Sequence, residues 1–120
     1  MTEPFIPVTD EAALEDLFAR SRREPIVLYL HDPYCFTSML AEQEMADLTE
    51  PVHVHVVDVS RQQALSRRVA EWTGLRHESP QAFVLHMGQA VWSRSHGAVT
   101  ADAVRQALRR CAVPVGSETA

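Results

Sequence analysis

Apolar residues recur along this chain in two rhythms, one helical and one extended. After Thr9 or Asp10, either of which can cap a helix, Leu14, Leu17 and Phe18 fall on one helical face. Pro25 follows the basic end of that segment, and Ile26 to Leu30 is an unbroken apolar run, the pattern of a strand buried on both sides. A second helix is predicted from about Thr37 to Leu48, with Met39 or Leu40, then Met45 and Leu48, facing the core. Pro51 closes that region. Val52 to Val59 is dense in β-branched residues and predicts a second strand. Ser60-Arg61-Gln62-Gln63 has capping-box spacing and opens a third helix with a Leu65, Val69 and Trp72 stripe and Gly74 as its C-terminal cap. After a loop containing Pro80, Ala82 to His86 and Ala90 to Ser93 flank a turn at Met87-Gly88-Gln89. Thr100 caps a last helix whose apolar face carries Val104, Leu108 and Cys111.

The order helix, strand, helix, strand, helix, hairpin, helix predicts an α/β domain. Its strand–helix–strand unit implies a parallel pair with a right-handed crossover, and the hairpin adds two antiparallel strands. The expected architecture is a mixed four-stranded sheet with helices on both faces, one domain over residues 1–113 and a flexible tail over 114–120.

Composition narrows the function classes. The net charge of −5 argues against general nucleic-acid binding. The basic clusters Arg20-Ser21-Arg22-Arg23 and Arg109-Arg110 end predicted helices, where cations complement the helix dipole. No apolar run approaches the roughly 20 residues of a membrane span, and Met1 to Phe5 does not resemble a secretion signal. With only Cys35 and Cys111 no disulfide framework is expected, so the reading is a cytoplasmic protein with free thiols, a monomer or weak dimer.

Cys35 is the candidate for chemistry. It stands where a strand ends and a helix begins, after Asp32-Pro33-Tyr34 and before Phe36-Thr37-Ser38. A thiol there faces unpaired backbone N–H groups and the positive end of the helix dipole, which stabilise a thiolate nucleophile. A two-cysteine motif would carry its second sulfur at position 38, which holds serine. Cys111 extends an apolar helix face and reads as a packing residue.

These residues are similar to the thioredoxin fold, with Cys35 at the attacking position and Pro80, 45 residues later, ahead of the closing hairpin. Within that superfamily the chain resembles the monothiol bacilliredoxins. The likeness rests on Cys35-x-x-Ser38, on His77-Glu78-Ser79-Pro80-Gln81, and on Val91-Trp92-Ser93-Arg94-Ser95-His96, and it extends from about residue 10 to 110. Phe36 and Tyr34 depart from the family, where proline follows the cysteine and a smaller residue precedes it. The resemblance implies a monothiol thiol–disulfide oxidoreductase, linked to stress response, that removes bacillithiol from protein mixed disulfides. Cys35 and Ser38 would be catalytic, and Tyr34, Phe36, Thr37, Arg76, His77, Ser79 and Pro80 would contact substrate. No tightly bound cofactor is implied; bacillithiol or another small thiol serves as co-substrate and resolves Cys35 from outside. The resemblance also implies a cis Ser79–Pro80 bond, presenting backbone groups to an extended substrate.

Other readings stand beside this one. A monothiol glutaredoxin-like iron–sulfur carrier shares the Cys-x-x-Ser spacing, but Phe36 occupies the place of that family's glycine. A non-catalytic thioredoxin-fold binding module would also keep one cysteine without a resolver. His53 and His55 share a strand face without a third metal ligand at convincing spacing, so no metal site is expected. A protonated His31 near the sulfur would favour thiolate, and Tyr29 stands where two-cysteine thioredoxins carry a buried acid.

Overall fold

Neither face of the segment Ile26–His31 meets water, and the other elements are arranged to cover it. The computed structural model describes residues 5–48 and 52–112. In chain order these form β1 (Phe5–Pro7), α1 (Glu11–Arg20), β2 (Ile26–His31), α2 (Phe36–Ala46), β3 (Val54–Asp58), α3 (Gln63–Thr73), β4 (Gln81–His86), β5 (Gln89–Ser95), a short 3₁₀ turn (His96–Ala98) and α4 (Ala101–Ala112). Pro51 and the tail expected after residue 113 lie outside the described residues.

The sheet order is β1-β3-β2-β4-β5, with β1 and β2 parallel to β3, β2 antiparallel to β4, and β4 antiparallel to β5. This corrects the expected four strands to five. Phe5–Pro7 is too short to show a period of two, and it becomes a strand only because it pairs with Val54–Val56 of β3. Side-chain alternation then divides the core. Val27 and Tyr29 of β2 pack with Ala41 and Met45 of α2 and Val104 and Ala107 of α4. Ile26, Leu28 and Leu30 pack with Leu14 and Leu17 of α1 and Leu65 and Val69 of α3. The continuous apolar run of β2 is therefore two alternating sets, one for each helical layer.

The element ends follow local chemistry. The Asp10 carboxylate accepts the Ala13 N–H at 2.7 Å, and Thr100 Oγ1 accepts the Ala103 N–H at 3.2 Å. Gly74 ends α3 at φ 69°, in the left-handed region where a Cβ is costly. The hairpin turns on Met87 and Gly88, both at positive φ, as a two-residue turn matching the sheet twist requires. Trp72 meets Phe18 edge-on, with ring centroids 4.5 Å apart.

Two expectations for helix ends and faces need correction. The predicted capping box does not form: α3 starts at Gln63 after Gln62, and the Ser60 hydroxyl donates to Asp58 at 2.6 Å instead. The Asp58 carboxylate, at the last paired residue of β3, captures the serine before the helix can. On α2, Met39 and Leu40 are exposed, while Ala41, Met45 and Leu48 are buried. Among the described residues no helix is long and apolar enough to cross a membrane.

The two histidines differ in burial: His53, just before β3, is exposed, and His55 within it is buried against the α1 side. Among the described residues no group of three or more His, Cys, Asp or Glu is placed to hold a metal. Burial first, then the nearby Arg20 and His53 charges, pull the His55 imidazole down to about 4. The unfolded chain binds a proton at His55 below about pH 6.5, whereas the folded protein resists it. This contribution to stability is therefore complete above pH 6.5 and is lost as pH falls toward 4. The expected loss is about 3 kcal/mol. Urea unfolding of the parent and of His55→Val across this range checks it, with a shallower decline expected for the variant.

Candidate active site

The loop after β2 is built by its own sequence. Asp32-Pro33 begins a β-turn, with aspartate at the first position and proline, its φ already suitable, at the second. The Cys35 N–H donates to the Asp32 carbonyl at 3.1 Å, and the Tyr34 N–H donates to Asp32 Oδ1 at 2.9 Å. The turn ends β2 and delivers Cys35, in extended conformation, as the residue capping α2. Cys35 is half-buried, between the exposed side chains of Tyr34 and Phe36.

As a thiol, Cys35 makes no capping hydrogen bond to the helix. As a thiolate it faces the first-turn N–H groups. The Ser38 amide is the main influence holding its pKa below the ordinary thiol value. The Thr37 amide and the Thr37 and Ser38 hydroxyls add to it, and partial burial opposes them. No acidic residue stands in the first turn of α2 to counter this.

Ser38 is completely buried and tied in two directions. Its Oγ accepts the Asp32 N–H at 3.2 Å, and its carbonyl accepts the Tyr29 hydroxyl proton at 2.8 Å. The first bond closes the loop around Cys35 and leaves the hydroxyl proton of Ser38 free to donate to the sulfur. The second fastens the first turn of α2 to the central strand. The Tyr29 ring, with its hydroxyl, reaches the level of His31 Nδ1 at 2.9 Å, and His31 Nε2 lies 4.0 Å from Glu42 Oε2 on α2. Burial, then the Glu42 carboxylate and Cys35, push the Tyr29 phenol well above its ordinary value, so it remains a neutral donor.

A groove of about 550 Å³ runs beside this loop, lined by Asp32, Tyr34, Ser60, Arg67, His77 and Ser79 among others. Arg67 is exposed there, and among the described residues it makes no ion pair. His77 is held against the hydroxyl of Ser66, which is buried. Pro80, preceded by a cis bond, leads into β4, where Gln81 pairs with Leu30 beside the exit of β2.

The motif residues beyond the cysteine brace this loop. The Glu78 N–H donates to Gln81 Oε1 at 3.0 Å, and Gln81 Nε2 donates to the Arg76 carbonyl at 3.2 Å. From the end of β5, the His96 N–H donates to the Pro80 carbonyl at 3.0 Å, and its Nε2 meets Glu78 Oε1 at 2.7 Å. The two distant motifs therefore touch.

Of the residues singled out in the sequence, Cys35, Thr37 and Ser38 come together at the helix start, and Tyr34, His77 and Ser79 line the groove. Phe36 is exposed beside the cysteine with Met39 and Leu40. Arg76 does not line the groove; it is exposed, and its contribution to the site is its backbone carbonyl. The cation in the groove is Arg67, which sequence reasoning missed along with Ser66 and Glu42. The one available signal was the polar pair Gln63 and Arg67, one turn apart on the face of α3 opposite Leu65 and Val69. Cys111 sits half-buried in a separate crevice with Trp92 and His86, where burial raises its thiol pKa.

The family described as Monothiol bacilliredoxin BrxC matches residues 6–104. Among solved structures, one described as a candidate oxidoreductase with a thioredoxin fold superposes with a TM-score of 0.80 at 24% identity, covering 87% of this chain and 93% of that one. A point-mutant thioredoxin from Halobacterium salinarum superposes at 0.72 with 20% identity, covering 96% and 98% of the two chains. Thioredoxin O2 from Arabidopsis thaliana reaches 0.69 at 14% identity, with 92% and 96% covered. The architecture is thus the thioredoxin fold.

Removing the Ser38 hydroxyl isolates its part in the loop. Ser38→Ala is expected to leave the Asp32 N–H without its partner and to cost about 1–2 kcal/mol of stability. It should also raise the thiol pKa of Cys35. Urea unfolding checks the first effect, and the pH dependence of Cys35 alkylation by iodoacetamide checks the second.

Proposed function

The chain belongs to the monothiol bacilliredoxin family, and on that footing we propose that it is a thiol–disulfide oxidoreductase that removes bacillithiol from protein mixed disulfides through Cys35. One observation carries this reading. Cys35 faces the amides of Ser38 and Thr37, which favour its thiolate, while position 38 holds a buried serine fixed by Tyr29 and Asp32. The site has an activated nucleophile and no internal resolver.

The reaction follows from that arrangement. The Cys35 thiolate attacks the bacillithiol sulfur of a modified protein. A new S–S bond forms to Sγ, the old one breaks, and the protein cysteine departs as a thiolate that takes a proton from water. Cys35 then holds the bacillithiol. A second small thiol, as its thiolate, attacks that sulfur, forming the small-thiol disulfide and releasing the Cys35 thiolate. The protein cysteine is reduced, the incoming small thiol is oxidised, and the bacillithiol sulfur stays at the disulfide level throughout.

Two surfaces support the choice of substrates. The groove with Arg67, His77 and Ser79 suits the anionic, hydroxyl-rich body of a small thiol. The exposed Tyr34, Phe36, Met39 and Leu40 surround the cysteine with apolar area that a protein substrate can cover. Free cysteines suit a reducing compartment, and the proposed site of action is the cytosol.

The test mixes the protein with a bacillithiolated substrate and follows the sulfur products by mass spectrometry. The expected result is bacillithiol on Cys35 and a free thiol on the substrate. No transfer, or equal transfer by Cys35→Ser, overturns the proposal. Arg67→Ala is expected to lower kcat/KM for the bacillithiolated substrate about fivefold, the effect of one exposed charged contact. A substrate modified with uncharged mercaptoethanol should show no such loss.

A further inference from the structure

The buried polar line beneath Cys35 has a direction. The Tyr29 hydroxyl has a single proton, and the Ser38 carbonyl, 2.8 Å away, can only accept it. The same oxygen lies 2.9 Å from His31 Nδ1. With its proton committed, Tyr29 must accept here, so Nδ1 carries a hydrogen and donates. A neutral His31 would then aim the lone pair of Nε2 at the Glu42 carboxylate, 4.0 Å away. A proton on Nε2 replaces that repulsion with an attractive N–H to carboxylate contact. His31 is 8% exposed, so its charge would be costly without these two partners.

We propose that His31 is held as an imidazolium between Tyr29 and Glu42, and that it acts as a positioning residue whose charge supports the Cys35 thiolate through the Tyr29–Ser38 strut. This rests on Cys35 being the working nucleophile. Two effects reach the sulfur. The imidazolium strengthens Nδ1–H as a donor, which polarises the Tyr29 hydroxyl toward the Ser38 carbonyl and fixes the turn whose amides face Sγ. Its positive charge also lies on the same side of the sheet as the loop, where a thiolate lowers in energy. On ionisation the Cys35 proton goes to solvent, and the proton on Nε2 is drawn from solvent.

The other titratable groups around His31 are few. Asp58 of β3 is its strand partner and is engaged by Ser60 and Arg61. Asp32 follows it in the chain and is turned to the Tyr34 N–H. On β4, the paired strand beside it, the nearest position in register is the uncharged Gln81. Glu42 is therefore the charged group that faces His31 directly.

The sign of the effect is fixed by this arrangement. Support for the thiolate is present while His31 is protonated and is lost as pH rises through the imidazole titration. The test measures the rate of Cys35 alkylation by iodoacetamide from pH 5 to 9, with Cys111→Ala as background. The parent is expected to show the thiol ionisation and a second inflection from His31. His31→Asn retains an amide N–H toward Tyr29 without the charge. It should lose the second inflection and alkylate on the order of tenfold more slowly at pH 6, a shift of about one pKa unit. His31→Leu, which removes donor and charge together, should be at least as slow. If His31→Asn restores the parent profile while His31→Leu does not, His31 is a structural brace and the proposal fails. NMR of the imidazole nitrogens in the unmutated protein is independent of how the variants fold. It should show both nitrogens protonated at neutral pH, with a lower titration midpoint in Cys35→Ser. A neutral ring protonated only at Nδ1 overturns the proposal. None of these readouts depends on which small thiol is the substrate, so their failure is distinct from failure of the bacillithiol reading.

Discussion

The burial of β2 on both faces is the constraint from which the site follows. A strand covered by α2 and α4 on one side and by α1 and α3 on the other cannot shift its register without turning each apolar set toward the wrong layer. Its end is consequently a fixed point. Tyr29 and His31 alternate onto the α2 face, so a polar phenol and imidazole are delivered under the first turn of that helix. The Asp-Pro turn then lifts the chain out of the sheet, and the next extended residue is the cysteine.

Ser38 fixes the loop around Cys35 through its side chain and its backbone. Its hydroxyl and carbonyl are each engaged, and the residue has no access to solvent. A sulfur there would be a poor acceptor for the Asp32 N–H, so the loop is adapted to oxygen. The same oxygen, where a two-cysteine motif would place its second sulfur, helps to shape the loop around Cys35.

Much of the fold was legible because periodicity reports burial directly. The β2 run, the Asp10 and Thr100 caps, the Gly74 stop and the Met87-Gly88 turn each express a local rule. The errors lay where a competing contact won. Phe5–Pro7 became a strand through pairing with β3, and Asp58 took the Ser60 hydroxyl that the capping box needed. Met39 and Leu40 matched a helical stripe, yet α2 turns them outward beside the cysteine. The His-Glu-Ser-Pro-Gln and Ser-His stretches were legible only as a resemblance. Their joint physical role, His96 bridging to Glu78 and to the Pro80 carbonyl, needs the hairpin to bring them together.

By itself the sequence determined the α/β plan of a sheet with helices on both faces, the position of Cys35 at a strand exit and the absence of a second sulfur at position 38. These are properties of neighbours along the chain: a turn, a cap, an alternation. The tertiary structure decided which cation lines the groove, Arg67 and not Arg76. It also decided that Glu42 stands over His31 and that Tyr29 holds Ser38. Those contacts join residues on different elements, and their distances depend on how helices pack across the sheet. No repeat in the sequence encodes that angle. The position of Cys35 was therefore local information, while the environment around it was a product of packing.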